Sequence, residues 1–128
     1  MVARVQNNGL ANITAAWVAY ASLAKYLQWG TGSGAAASAN VVTTTTTTEA
    51  RTTGTATQVT TTQTNDTYQV TGTITAAGTR AITEVGVFDA AGTGSPPTGG
   101  NMDIYGDFSV INLATSDSIA FTVKVAFT

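Results

Sequence analysis

This chain contains no cysteine and no histidine, only two prolines, and charged side chains at just 9% of its 128 positions. The absence of cysteine excludes disulfides and thiolate metal sites, and leaves the redox compartment open. The absence of histidine removes the most common general base and metal ligand. Arg4, Lys25, Arg51, Arg80 and Lys124 are the only basic residues, and they are scattered. No basic stripe exists to neutralise phosphates, so no nucleic-acid partner is expected. The opening MVARVQNNG has no continuous apolar segment behind its single Arg, and so does not read as a secretory signal. No run approaches the roughly 18 apolar residues of a membrane span. The expectation is therefore synthesis in a cytoplasm and no membrane partner.

Against these absences stand a hydrophobic share of 43% and a net charge of only −2. Disordered chains combine low hydrophobicity with high charge; this one has neither. About one residue in five is Thr, most densely in VVTTTTTTEARTTGTATQVTTT, residues 41–62. A surface of Thr, Ser, Ala, Asn and Gly lacks the charges that normally keep a free monomer soluble. It suits a protein packed against copies of itself or against a partner. The length fits a single domain spanning residues 1–128.

Leu10, Ile13, Trp17, Tyr20 and Ala24 recur at helical spacing, with Asn7 and Asn8 as candidate N-caps, and predict an N-terminal helix over about 9–23. Trp17 and Tyr20 read as anchors against a sheet. Lys25 to Trp29 is a short strand-like run. The following Gly-Thr-Gly-Ser-Gly (30–34) lacks the Gly-Lys-Ser/Thr of a phosphate-binding loop and reads as a backbone turn. A β-rich body is expected over about 41–128, where the period becomes two. Thr55–Thr64 and Tyr68–Thr75 form a hairpin turning at Asn65-Asp66. Ala81–Asp89 is apolar on both faces, with Ile82 and Phe88 on one and Val85 and Val87 on the other. Residues 90–101, with both prolines and four glycines, form a long surface loop. Met102–Leu113 presents Ile104, Phe108 and Val110 on one face. The last strand alternates most cleanly: Ile119, Phe121, Val123, Val125 and Phe127 point inward. The pattern predicts a mainly β fold, an antiparallel β-sandwich or open barrel of six to seven strands with one N-terminal α-helix packed on it.

Chemistry would have to come from carboxylates and hydroxyls. Glu49 and Glu84 are the only glutamates. Neither sits where a facing catalytic pair is suggested, and pairing with Arg51 or Arg80 accounts for them better. Asp103 and Asp107 flank Ile104-Tyr105-Gly106 without the pattern of a calcium loop. No catalytic residue, metal site or cofactor is expected. The Thr tract lacks the Pro of mucin-like stalks and the fixed period of a repeat array. Thr favours extended backbone. A strand with Thr on both faces has little to bury and belongs at a sheet edge, where uncharged backbone invites pairing with another chain.

Several segments together resemble small structural proteins of tailed bacteriophages, capsid cement (decoration) proteins and related tail-fibre-like proteins. The segments are Asn7-Asn-Gly-Leu10, Tyr26-Leu-Gln-Trp-Gly-Thr-Gly32, Thr48-Glu49 with Arg51, Tyr68-Gln-Val-Thr-Gly-Thr-Ile74, Ala81-Ile-Thr-Glu-Val-Gly-Val-Phe-Asp89, and Phe108 to Thr122. They span nearly the whole chain, and ITEVGVFDA is the most specific. The resemblance implies a non-enzymatic virion protein, a homotrimer on the outer capsid surface that binds the major capsid protein and bridges neighbouring capsomers. A tail or tail-fibre module that contacts the host surface is the alternative. Candidate interface residues are Trp29, Thr43, Thr44, Thr45, Thr46, Pro96 and Pro97, with Trp29 also readable as a core residue.

Overall fold

The computed structural model describes residues 1–20, 24–39, 41–42 and 48–128. Among these residues α1 (Asn7–Ala19) is followed by seven strands: β1 (Tyr26–Gly30), β2 (Thr52–Thr53), β3 (Thr55–Val59), β4 (Thr67–Thr75), β5 (Arg80–Phe88), β6 (Met102–Leu113) and β7 (Ser118–Ala126). They form a four-stranded sheet, β2-β1-β5-β6, and a three-stranded sheet, β3-β4-β7. All named pairs are antiparallel. The mainly β architecture read from the sequence is thus present as two packed sheets and one helix. The β-rich body begins earlier than residue 41, because β1 lies between β2 and β5 inside the larger sheet.

The core lies between the sheets. Leu27, Trp29, Val85 and Val87 from one sheet meet Tyr68, Val70, Ile74 and Phe121 from the other. Alternation places these residues: Tyr68, Val70 and Ile74 occupy every second position of β4, opposite Val125, Val123 and Ile119 of β7. Along β7 the pattern holds as expected, with Ile119, Phe121, Val123 and Val125 turned in and their neighbours exposed. On β5 strict alternation fails. Ile82 joins Val85 and Val87 in one core cluster because the β5–β6 register shifts between Ile82 and Glu84. Such a bulge re-aims the side chains around it. The same irregularity leaves Val110 54% exposed, not inward with Ile104 and Phe108.

The Thr-rich segment after Arg51, expected to be extended at a sheet edge, forms two strands in two sheets. β2 pairs with β1 and β3 with β4, and the chain crosses between sheets at Gly54. A Cβ there would lie 2.6 Å from Val70 Cγ1 and 2.8 Å from both Leu27 Cδ1 and the Thr71 carbonyl. Only glycine lets the backbone pass so close to the core. Both β2 and β3 are edge strands among the described residues, the position expected for this Thr-rich segment.

The expected two-residue turn at Asn65-Asp66 is a longer loop, since Val59 pairs with Thr67. The buried Asp66 organises it: its carboxylate accepts the backbone N–H groups of Thr61 (2.9 Å), Thr62 (2.9 Å) and Gln63 (2.7 Å) and the Thr67 hydroxyl (2.9 Å). Asn65 does take the positive φ, 56°, that its short amide side chain tolerates.

The helix starts at Asn7, with Gln6 as N-cap and no side-chain cap bond. Asn7 instead donates its amide to Gln63 Oε1 at 2.7 Å. The inward stripe includes Leu10, Thr14, Trp17 and Val18. The Thr14 hydroxyl donates to the Asn65 carbonyl at 2.5 Å and accepts from Gln58 Nε2 at 2.6 Å. Trp17 meets Tyr68 and Phe127 edge-on at 5.3 and 5.5 Å, closing the end of the sandwich where β4 begins and β7 ends. Tyr20 is not an anchor: it is the C-cap and 62% exposed, one residue past the last helical turn.

Candidate assembly surface

The residues singled out in the sequence fall into three groups. Trp29 is a core residue and not a contact on the surface. It is 1% exposed, packs edge-on against Phe121 at 6.4 Å, and donates its indole N–H to a Glu49 oxygen at 3.4 Å. Its position in β1, an inner strand, turns the ring between the sheets. Pro97 is buried and Pro96 only half-buried, so neither stands out as a free contact. The Pro97 carbonyl accepts from Gln28 Nε2 at 3.4 Å. Thr43, Thr44, Thr45 and Thr46 lie outside the described residues. Val42, just before them, is buried and abuts Gly86.

The loop over residues 90–101, expected to run over the surface, is tied down by Arg51. This side chain is buried and lies over the Phe88 ring, 3.6 Å from its centroid. Its guanidinium donates to Gln28 Oε1 (2.9 Å), the Ala90 carbonyl (2.9 Å) and the Gly99 carbonyl (2.7 Å). Burial pulls its pKa below the ordinary arginine value, with Asp89 acting in the opposite sense. The backbone N–H and side-chain amide of Asn101 bind Asp89 at 2.7 and 2.8 Å and hold its carboxyl below the usual carboxylate range. The loop's two ends are thereby clamped together.

The glutamates are likewise held inside. Burial pushes the Glu49 carboxyl up, but the N–H groups of Ala77 and Glu49 itself, the Trp29 indole and Arg80 together bring it below its ordinary value. Its bridge to Arg80 Nη2 spans 3.1 Å, one of the pairings expected from the sequence. Glu84 is fully buried. It accepts the Gly32 N–H at 3.1 Å and the Tyr105 hydroxyl at 2.9 Å. The glycine-rich turn is therefore a wrap around this carboxylate: a Cβ on Gly30 would collide with it, and Gly34 N–H donates onward to Asp107 at 3.0 Å. Nothing in the local sequence marks Glu84 and residues 30–34 as partners. Among the described residues no group of three or more His, Cys, Asp or Glu side chains is placed to hold a metal ion.

With half of the twelve charged side chains held within the fold, the outer surface is dominated by hydroxyls and strand edges. On the outer face of the three-stranded sheet, cross-strand register aligns Thr55 with Thr71 and Thr71 with Thr122. Thr57, Gln69 and Lys124 form the next row, and the hydroxyls of Thr75 and Ser118 bond at 2.7 Å. Among the described residues each sheet also leaves two edge strands: β2 and β6, and β3 and β7. A separate open groove of about 940 Å³ lies between the start of α1 and the loop before β4, with Leu10, Ile13 and Phe127 in its wall. The Asp66 carboxylate that borders it is already satisfied by the loop's own donors. No protein-family model, curated protein or solved structure matches this chain.

Proposed function

We propose that this chain is a structural protein of a tailed-bacteriophage virion, a capsid cement protein that binds the outside of the head and bridges neighbouring capsomers. The observation that carries the reading is the distribution of charge. Six of the twelve charged residues, Glu49, Arg51, Asp66, Arg80, Glu84 and Asp89, are engaged within the fold, and the faces outside carry few charges among many hydroxyls, with strand edges left unpaired among the described residues. Such a surface favours association over solubility. The segments that resemble cement proteins support it, since Tyr68–Ile74 and Ala81–Asp89 coincide with the two strands, β4 and β5, that contribute most to the core. A cement protein resists genome pressure by adding interfaces across capsomer borders, and many weak copies act together through multivalency. A homotrimer that contacts the major capsid protein is the stoichiometry this reading carries.

Densitometry of purified virions tests it. A cement role requires a copy number comparable to the major capsid protein, and heads lacking the chain should release their genome at lower temperature. A few copies per particle would point to a tail or fibre module, and unchanged head stability would refute the cement role.

A further inference from the structure

The four sheet edges are not equivalent. β2 has two residues and β3 has five, with α1 packed close to β3. β6 is longer, but it carries Asp103 and Asp107 and its pairing with β5 is broken by register shifts. Short length, charge and bulges are the usual means of blunting an edge. β7 has only one of these, a single exposed charge. Its nine residues, SIAFTVKVA, pair with β4 in one uninterrupted register, without Pro or Gly and with Lys124 as the single charge. No strand lies beyond it among the described residues.

We infer that β7 is a self-association edge, pairing antiparallel with β7 of a second copy about a two-fold axis at Thr122. The occupant follows from the side-chain pattern. In that register Ile119 stands opposite Val125 and Phe121 opposite Val123, all on the inner face. Ser118 stands opposite Ala126, Ala120 opposite Lys124, and Thr122 opposite its own copy, all on the outer face. Every inner pair is apolar with aromatic or β-branched members, the combinations that stabilise cross-strand neighbours, and Thr–Thr pairs add to them. The two Lys124 residues lie four positions apart along the strands, about 14 Å at ~3.4 Å per residue, beyond the ~8 Å screening length at physiological salt. Ile119, Val123 and Val125, half-buried in one copy, gain cover from the other. The result is a continuous six-stranded sheet, β3-β4-β7 joined to its symmetry mate. A two-fold contact uses each edge once, so it produces dimers, or links two trimers where a trimer forms through another surface. The contact stands on the edge geometry alone and holds whether or not the chain decorates a phage head.

The test is light scattering on the purified chain across a dilution series, with circular dichroism as the check on folding. Wild type should run at even multiples of 13.0 kDa. Thr122→Lys, an exposed substitution that sets like charges opposite each other, should halve the mass while keeping the β spectrum, and Thr122→Glu should do the same. Mixing the two variants should restore the wild-type mass. Thr73→Lys adds the same charge to the same face but on β4, and should leave the mass unchanged. Wild type that stays monomeric or runs at an odd multiple overturns the inference. So does a folded T122K or T122E of wild-type mass, or a T73K that dissociates to the same extent.

Discussion

Replacing Arg51 by Met tests whether one buried fork holds the 90–101 loop to the sheet. Met preserves the apolar stem and can still cover the Phe88 ring that the guanidinium lies over at 3.6 Å. What it removes are the donors to Gln28 Oε1, Ala90 O and Gly99 O. The Gln28 bond is buried and the other two are partly buried. Stranding the first acceptor costs about 2 kcal/mol and each of the others about 1 kcal/mol, a loss of roughly 4 kcal/mol. Removing a charge that sits only 7% exposed returns on the order of 1–2 kcal/mol of its burial penalty. The net expectation is destabilisation by about 2–3 kcal/mol, which at a urea slope of roughly 2 kcal/mol per molar lowers the midpoint by about 1–1.5 M. Hydrogen exchange should show the amides of Thr93 and Thr98, which bond each other's carbonyls at 2.9 Å, losing protection first. Arg51→Lys is the decisive companion. It keeps the buried charge but cannot reach three acceptors with a planar fork, so it should be at least as unstable as R51M. An unchanged R51M midpoint, or an R51K variant more stable than R51M, would refute the reasoning.

Three further outcomes follow from the packing. Gly54→Ala should lower the unfolding midpoint by the equivalent of about 1–3 kcal/mol, because overpacking at the sheet crossing forces Val70, Leu27 or the backbone to move; a thermal melt equal to wild type would show that the crossing has slack. Tyr68→Phe strips the buried hydroxyl that bonds the Ala24 carbonyl and should cost about 1–2 kcal/mol, measured by urea unfolding. Acid should destabilise the fold. The Asp66, Asp89 and Glu49 carboxyls are held below their unfolded values, so the stability they contribute is present at neutral pH and lost as pH falls below about 4 through their folded values. Asp103, raised by burial and by Asp89, works against this and softens the slope. Asp66→Asn should flatten the pH dependence of the urea midpoint while lowering it at pH 7, and an unaltered slope would place the acid sensitivity elsewhere.

The helix, the strand count and the inward face of β7 were legible in the sequence because each depends on a local period. Ile119 to Phe127 alternate without interruption, and Trp17 recurs at helical spacing from Leu10. Structure departs from the local period where a contact distant in sequence overrides it. Asp66, by collecting three backbone N–H groups, turned an expected two-residue hairpin turn into a longer loop. The β5–β6 register shift brought Ile82 to the same core as Val85 and left Val110 in solvent. Tyr20 lost its place in the stripe because the helix ends at Ala19.

The candidate assembly surface divides in the same way. The sequence by itself determined that this protein has almost no charge to spend on its surface and that its strands are rich in threonine, since composition needs no fold to be read. It also pointed to a sheet edge in the Thr-rich segment, because a strand with Thr on both faces has little to bury. Only the tertiary structure decided which residues are edges and which are core. Trp29 went inside because β1 is flanked on both sides, and Pro96 and Pro97 were drawn in by a loop that Arg51 clamps. The most open edge is β7, whose sequence reads as an ordinary core strand. A strand's side-chain pattern records what lies above and below it, while its pairing is a backbone property that depends on where the neighbouring strands end.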